Sequence, residues 1–181
     1  MSDRIDRIVT PYEGRGHVEW DPASPIDAPL RFHRAVVKPE WVDYNGHMSE
    51  SCFLLAFGDS ADAFFRFIGI DEAYRAAGHS LYTVETHMHN RREVSEGEPI
   101  DLTLQLLDVD SKRVHIFHEM RHGDSGDLVA TGEQMLVHVD MEAGRSSDIA
   151  PEVAERLAAI RQAHASLPIP AVVGRPMGIR H

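Results

Sequence analysis

The chain has 181 residues, of which 43% are hydrophobic and 26% are charged, so it is long enough for one domain with a sizeable core. Its 18 basic and 29 acidic side chains give a net charge of −11, which argues against a nucleic-acid partner. No apolar run is long enough to cross a membrane, so no membrane partner is expected. A single cysteine, Cys52, excludes an intrachain disulfide and favours a reducing cytoplasm.

The first half of the chain predicts an arm, a strand and a long helix. Residues 1–30 predict a loosely ordered arm, because Gly and Pro interrupt every hydrophobic pattern there. Residues 31–38 predict a strand that ends at Pro39. From about residue 48 to residue 68 the spacing is helical and apolar side chains cover most of the surface, which predicts a helix buried on most sides. A short helix over 71–77 follows.

The second half predicts a sheet, because the hydrophobic period changes to two. Four strands are predicted, over 81–94, 99–109, 113–122 and 128–140. Their short connections resemble hairpins, so the sheet should be antiparallel. The economical packing is an α+β fold in which a curved antiparallel sheet wraps around one long buried helix. A domain over 31–140 would then be followed by a C-terminal helix and extended tail over 141–181.

The segment Trp41-Val42-Asp43-Tyr44-Asn45-Gly46-His47-Met48 places one carboxylate in a turn just ahead of the long helix. The Asp43 carboxylate would attack an electrophile or deprotonate water there. The helix N-terminus, through amides near His47 and Met48, would stabilise negative charge that develops opposite it. The structural alternative is that Asp43 only caps the helix.

The order of strand, D-x-x-G-H-M turn, buried helix and four strands resembles the hotdog-fold acyl-CoA thioesterases of the 4-hydroxybenzoyl-CoA type over residues 31–140. Five segments are more specifically similar to the betainyl-CoA thioesterases of carnitine breakdown: 39–48, 82–87, 92–94, 112–113 and 115–118. That group occurs alone or joined to L-carnitine dehydrogenase. Without a Gly-rich dinucleotide fingerprint, and with only 181 residues, this chain is expected to be the free-standing form.

The resemblance implies that Asp43 is the catalytic acid, either as a nucleophile that forms a mixed anhydride or as a general base. His47 would bind the carboxylate or the substrate, or would only orient the turn. Gly46 fits a turn that needs an unusual backbone angle or a close approach by the ligand. Asn45 is a typical turn residue that would lie next to the substrate.

The acyl group implied by the resemblance carries a quaternary ammonium, which aromatic faces and carboxylates recognise. Trp41, Tyr44, Tyr82 and Glu85 are therefore the candidate cage. The alternative for Trp41 and Tyr82 is an ordinary place in the core or at an interface. Glu85 stands in an apolar stretch, so it should be exposed, paired or functional.

The coenzyme A end needs cations for its phosphates, and the local concentration of cations in this acidic chain is Arg91, Arg92, Lys112 and Arg113. The alternative is that these four side chains are only solvent-exposed residues at a strand end and in a turn. The twelve histidines show no metal-ligand spacing, so we expect no metal and no cofactor apart from the coenzyme A of the substrate. Asp62 and Arg66 predict an i, i+4 ion pair on a polar strip from which Asp59 could reach the pocket.

The sequence therefore predicts a cytoplasmic enzyme, an acyl-CoA thioesterase that converts betainyl-CoA to glycine betaine and CoA. A homodimer or homotetramer is expected, because a half-wrapped sheet leaves an edge that a second copy can pair. Three alternatives remain: a thioesterase for another short-chain or aromatic acyl-CoA, a hydratase of the same broad fold, and a non-catalytic module that binds acyl-CoA or betaine.

Overall fold

The computed structural model describes residues 9–14 and 17–179. Its strands are β1 (Leu30–Val36), β2 (His79–Asn90), β3 (Pro99–Val109), β4 (Arg113–His122), β5 (Leu128–Asp140) and β6 (Arg145–Ser146). Its helices are α1 (Glu50–Phe67), α2 (Glu72–Ala76) and α3 (Pro151–Ala163), with 3-10 turns at Pro39–Trp41 and His164–Ser166. These bounds match most of the sequence predictions within about three residues, although the short β6 had no sequence signal.

The strands form one antiparallel sheet in the order β1-β3-β4-β5-β2, with β6 beside the end of β5. The sheet curves around α1, whose Phe57 and Phe64 are completely buried. The predicted α+β fold, a curved antiparallel sheet wrapped around one long buried helix, is therefore confirmed. Its two edge strands are β1 and β2, and β2 is exposed along much of its length.

The connection from β2 to β3 is not a hairpin, so that part of the sequence prediction is wrong. β2 pairs with β5, and β3 pairs with β1. Strand β2 ends at Asn90, and the amides of Arg91 and Arg92 both donate to the carbonyl of Val129 just beyond its end. The following segment then binds the link between β1 and α1, where the Met48 amide donates to the carbonyl of Val94 over 2.8 Å. This contact places residues 90–94 beside the start of α1.

The predicted polar strip of α1 lies inside the protein, because Asp59, Asp62 and Arg66 are all buried. The predicted pair is confirmed, with 2.9 Å between Arg66 Nε and Asp62 Oδ2. Glu72 binds the same guanidinium at 2.7 Å. The described part of the N-terminal arm covers this flank of the helix, and Thr10 donates to Asp62 over 2.6 Å.

The described part of the arm makes specific contacts with β1 and α1. The Tyr12 hydroxyl donates to the carbonyl of Phe32 and contacts Nδ1 of His33, both at 2.8 Å. Residues 1–8, 15, 16, 180 and 181 lie outside the described residues, and the division into arm, domain and C-terminal segment stays a prediction. Along the described chain, every helix is too short or too polar to cross a membrane.

Candidate active site

The turn that carries Asp43 is closed by its own backbone. The Asp43 amide donates to the carbonyl of His47, and the Gly46 amide donates to the carbonyl of Asp43, each over 3.0 Å. Val42 and Met48 form a β-bridge across the base of the turn. Gly46 has φ of +80°, a conformation that disfavours residues with a Cβ, so the glycine is needed for the turn to close.

The Asp43 carboxylate is half-buried and does not cap helix α1. Its Oδ1 accepts a hydrogen bond from the amide of Asn45 at 2.8 Å, which makes it part of the turn. The helix N-cap is Ser49, which makes no capping bond with its side chain. Within the described residues the second carboxylate oxygen of Asp43 has no hydrogen bond, so it is available to a reactant or a water.

The amides that can stabilise an anion agree only in part with those expected, because the amide of His47 donates to no acceptor in the described chain. The Met48 amide already donates to Val94, so it is not available to a thioester oxygen. In the described chain the amides of Glu50 and Ser51 donate to no acceptor, whereas those of Cys52 and Phe53 both donate to the carbonyl of Ser49. The first amides of a helix lack partners within the helix. That rule would have identified Glu50 and Ser51 if the helix start had been placed two residues later.

His47 ties the turn to the segment that follows β2. Its Nε2 lies 3.3 Å from Oε2 of Glu93, and both side chains are partly exposed. No hydrogen bond between His47 and the Asp43 carboxylate is found in the described structure. The arrangement therefore favours an orienting role for His47 over direct action on the carboxylate.

A cavity of about 340 Å³ opens at the mouth of α1 and is lined by Met48, Glu50, Phe53 and residues 90–93. Two of the four predicted coenzyme A cations, Arg91 and Arg92, line it. Arg92 also forms an ion pair with Asp127, and both partners are largely exposed. The structure thus brings two basic side chains next to the unpaired helix amides.

The other two cations, Lys112 and Arg113, lie at the opposite end of the sheet. Arg113 of β4 is paired with Val137 of β5, whereas the amides of Arg91 and Arg92 donate to the carbonyl of Val129 in the same strand. Eight residues of strand separate these points, which is roughly 26 Å. Arg113 is also bound to Asp110 at 2.6 Å. A single chain therefore does not bring the four cations together.

The predicted aromatic cage is likewise not assembled by one chain. Tyr44 is 97% exposed, whereas Trp41 is buried with the Lys38 Nζ 5.1 Å from its ring centre. Tyr82 pairs with Val137, so it lies near Arg113 rather than near the turn. Glu85 is exposed and bound to Nε2 of His87 at 2.9 Å.

Among residues 9–14 and 17–179, no group of three His, Cys, Asp or Glu side chains is arranged to hold a metal ion. His118 is completely buried against Phe57 and Gln134, and burial lowers its pKa to about 4. It is therefore a neutral core side chain at pH 7. The expectation of a reaction without metal or cofactor stays a prediction.

Comparison with known proteins adds independent findings. The family model of the thioesterase-like superfamily matches residues 37–157. An L-carnitine dehydrogenase/betainyl-CoA thioesterase of Rhizobium meliloti is 46% identical over 87% of this chain and 32% of its own length. A betainyl-CoA thioesterase of Pseudomonas aeruginosa is 43% identical over 83% of this chain and 95% of its own. This chain thus spans about a third of the bifunctional relative.

A solved structure shows a similar fold. It is a hypothetical protein from Staphylococcus aureus in complex with CoA, 26% identical, with a TM-score of 0.79. The match covers 87% of this chain and 100% of that one. The similarity therefore extends over most of this chain and the whole of that one.

Proposed function

This chain belongs to the thioesterase-like superfamily, and from that premise we propose that it is an acyl-CoA thioesterase which hydrolyses betainyl-CoA to glycine betaine and free CoA. The observation that carries the proposal is the Asp43 carboxylate, which is held in the turn by one backbone amide and keeps its other oxygen unbonded in the described structure. It stands at the mouth of a helix whose first amides, at Glu50 and Ser51, have no described acceptor.

The proposed reaction uses the carboxylate and the amides together. Asp43 either attacks the thioester carbon, giving a mixed anhydride that water then hydrolyses, or takes a proton from a water that attacks. In both routes the carbonyl oxygen becomes negative, and the amides of Glu50 and Ser51 would donate to it. The positive end of the helix dipole lowers the energy of the same charge. The C–S bond then breaks and the coenzyme A thiolate takes up a proton.

Coenzyme A would enter along the cavity at the helix mouth, with Arg91 and Arg92 near its phosphates. Guanidinium groups bind phosphate oxygens through charge-assisted hydrogen bonds. The local basic pair is needed because the net charge of the chain is −11, so the global field repels an anion. The similar S. aureus protein that was solved with CoA supports this class of ligand.

The betainyl group is supported by the two relatives named for that substrate, one of which matches along nearly its whole length. Because one chain does not assemble the cage, we propose that a second copy completes it in a homodimer or homotetramer. The exposed β2 edge, where Tyr82 and Val84 are 51% and 60% exposed, would be the pairing surface. The lone Cys52 supports a cytoplasmic location, and no metal or redox cofactor is required.

The test is thiol release from betainyl-CoA, butyryl-CoA and benzoyl-CoA by the native protein, by Asp43→Ala and by Asp124→Ala. Asp124 is an exposed acid in the turn between β4 and β5, so it is the matched control. Rapid turnover of betainyl-CoA alone, abolished only by Asp43→Ala, is the expected result.

Two other outcomes would overturn parts of the proposal. Equal turnover of the neutral thioesters would retain Asp43 but replace the betainyl substrate with another short-chain or aromatic acyl-CoA. Saturable binding without any thiol release would identify a non-catalytic module that binds acyl-CoA or betaine.

A further inference from the structure

A second and larger cavity, of about 840 Å³, lies between β1, the buried polar flank of α1 and the N-terminal arm. Its lining includes Lys38, Trp41, Leu55 and Asp59. The residues that line it and those that line the cavity at the helix mouth do not overlap, so the two cavities are separate. The two adjoin through Trp41, whose carbonyl accepts a hydrogen bond from the amide of Ser49 at 2.8 Å.

Asp59 is the unsatisfied charge of this cavity. The residue is only 7% exposed, and its carboxylate has no hydrogen bond or ion pair with any described residue. Its neighbour Asp62 is satisfied by Arg66 and Thr10. Partial loss of water around the carboxylate, together with the charge of Asp62, disfavours its ionised form and raises the pKa of Asp59 to about 6. A cation placed in the cavity would stabilise the ionised form.

Lys38 brings the opposite charge to the same cavity. Its side chain is exposed, and its Nζ lies over the Trp41 ring at 5.1 Å from the ring centre. In the described structure Lys38 forms no ion pair with Asp59, although its charge partly offsets the rise in the pKa of that carboxyl. The cavity therefore holds Asp59 and Lys38 without an ion pair between them, and the exposed Glu96 is a second acid on its lining.

We propose that this cavity binds a small zwitterion with a quaternary ammonium and a carboxylate. The ammonium lies between Asp59 and the face of Trp41, and Lys38 leaves the ring to bind the carboxylate. This assignment rests on the proposed function in one respect, because glycine betaine, the proposed product, has this chemistry.

The surroundings favour a quaternary ammonium over a primary one. A quaternary ammonium has no N–H group and is recognised by an aromatic face and a carboxylate. The remaining walls include apolar side chains of Val37 and Leu55, which suit N-methyl groups. His33 adds no charge at pH 7, since burial lowers its pKa to about 4, and Arg34 is occupied by Asp101 at 3.1 Å.

The test is isothermal titration of the full chain with glycine betaine, choline, acetate and glycine. Saturable binding of glycine betaine is expected, with at least tenfold weaker binding of choline, which lacks the carboxylate, and of acetate, which lacks the cation. Glycine, which has a primary ammonium, should also bind at least tenfold more weakly.

The variants locate the binding. Asp59→Asn and Lys38→Met should each weaken glycine betaine binding at least tenfold, whereas the controls Asp124→Asn and Arg145→Met, both at exposed side chains, should not. Circular dichroism verifies that each variant is folded. If Asp59→Asn does not fold, Lys38→Met, a change at an exposed side chain, still decides the result.

Three results would overturn the inference: no binding of glycine betaine, equal binding of glycine, or binding that Asp43→Ala abolishes and Asp59→Asn does not change. The last result would place the ligand at the helix mouth. A protein that releases no thiol but still binds glycine betaine through Asp59 would refute the proposed function and leave this inference standing.

Discussion

Helix α1 has one acid ahead of its first turn and another halfway along its length, and the two are held in opposite ways. Asp43 lies in an exposed turn, where a backbone amide donates to one of its oxygens. Asp59 is buried without a hydrogen-bonding partner in the described structure, and its pKa is raised to about 6. The same functional group therefore stands in two very different electrostatic environments.

The difference shows what each position can do. At the helix mouth, the Asp43 carboxylate is partly exposed and bound by one backbone amide, so its second oxygen can react. The amides of Glu50 and Ser51 have no described acceptor and could stabilise a negative charge. On the polar flank the Asp59 carboxylate is partly desolvated and has no hydrogen-bond donor in the described structure, so a proton or a cation would stabilise it. The contrast can be tested at four sites.

The largest effect is expected for Asp43→Asn. Removing the nucleophile or base should lower the turnover number for betainyl-CoA by about 10²- to 10⁴-fold. The asparagine can still accept the hydrogen bond from Asn45, and Asp43 caps no helix, so the free energy of unfolding should change by less than about 0.5 kcal/mol. Thiol-release kinetics and urea unfolding measure the two effects. Retained turnover, or a large loss of stability, would show that this acid has only a structural role.

The next largest effect is expected for Arg66→Met on the buried flank, where the free energy of unfolding should fall. The change leaves Asp62 buried without its guanidinium partner, and breaking such a pair typically costs about 3 kcal/mol or more. Urea unfolding at pH 7 measures the loss. Arg75→Met is the matched control, because Arg75 reaches Glu72 only at 3.7 Å and is partly exposed. Equal effects of the two changes would contradict the special importance of the buried pair.

Asp59→Asn should have the opposite sign and stabilise the protein by about 1 to 2 kcal/mol at pH 8. The pKa of Asp59 rises from 3.8 to about 6 on folding, so the folded state binds its proton more tightly. The free energy of unfolding of the native protein therefore falls as the pH rises from about 4 to about 6, because the Asp59 proton that favours the folded state is released. The gain of the variant over the native protein should disappear near pH 4. Thermal unfolding at both pH values checks the sign, with Asp124→Asn following the native protein.

Arg92→Gln should give the smallest overall effect, and it should lower the free energy of unfolding by less than about 1 kcal/mol, because its ion pair with Asp127 is exposed. If Arg92 binds a coenzyme A phosphate as proposed, its loss should nevertheless raise the KM for betainyl-CoA about three- to tenfold. Arg121→Gln, which removes a comparable partly exposed pair with Glu119, is the control. A KM equal to that of the control would show that Arg92 does not contribute to coenzyme A binding.

Much of the fold followed from hydrophobic periodicity. The bounds predicted for β3, β4 and β5 agree with the structure, and the long apolar helix is indeed buried. The order of the strands in the sheet was harder to predict, because alternation of apolar and polar residues shows which face a residue occupies and not which strand lies beside it. The β2–β3 connection was therefore taken for a hairpin, although both strands pair elsewhere.

The site was predicted in the same uneven way. The turn with Asp43 and Gly46 is local, so its residue types and spacing were sufficient to find it. The cage and the four cations required long-range placement, and one chain leaves Tyr82 and Arg113 far along β5 from the helix mouth. The free amides at Glu50 and Ser51 depend on where α1 begins, which the sequence pattern placed two residues too early.

By itself, the sequence determined the periodic elements, the tight turn around Asp43 and the i, i+4 pair of Asp62 with Arg66, because these depend on neighbours within a few residues. Only the tertiary structure decided that this pair is buried, that Asp59 is left without a partner beside Trp41 and Lys38, and that the four cations divide between two ends of the sheet. Burial and charge pairing depend on which distant segments pack together, since they set how much water and which counter-charges each group retains.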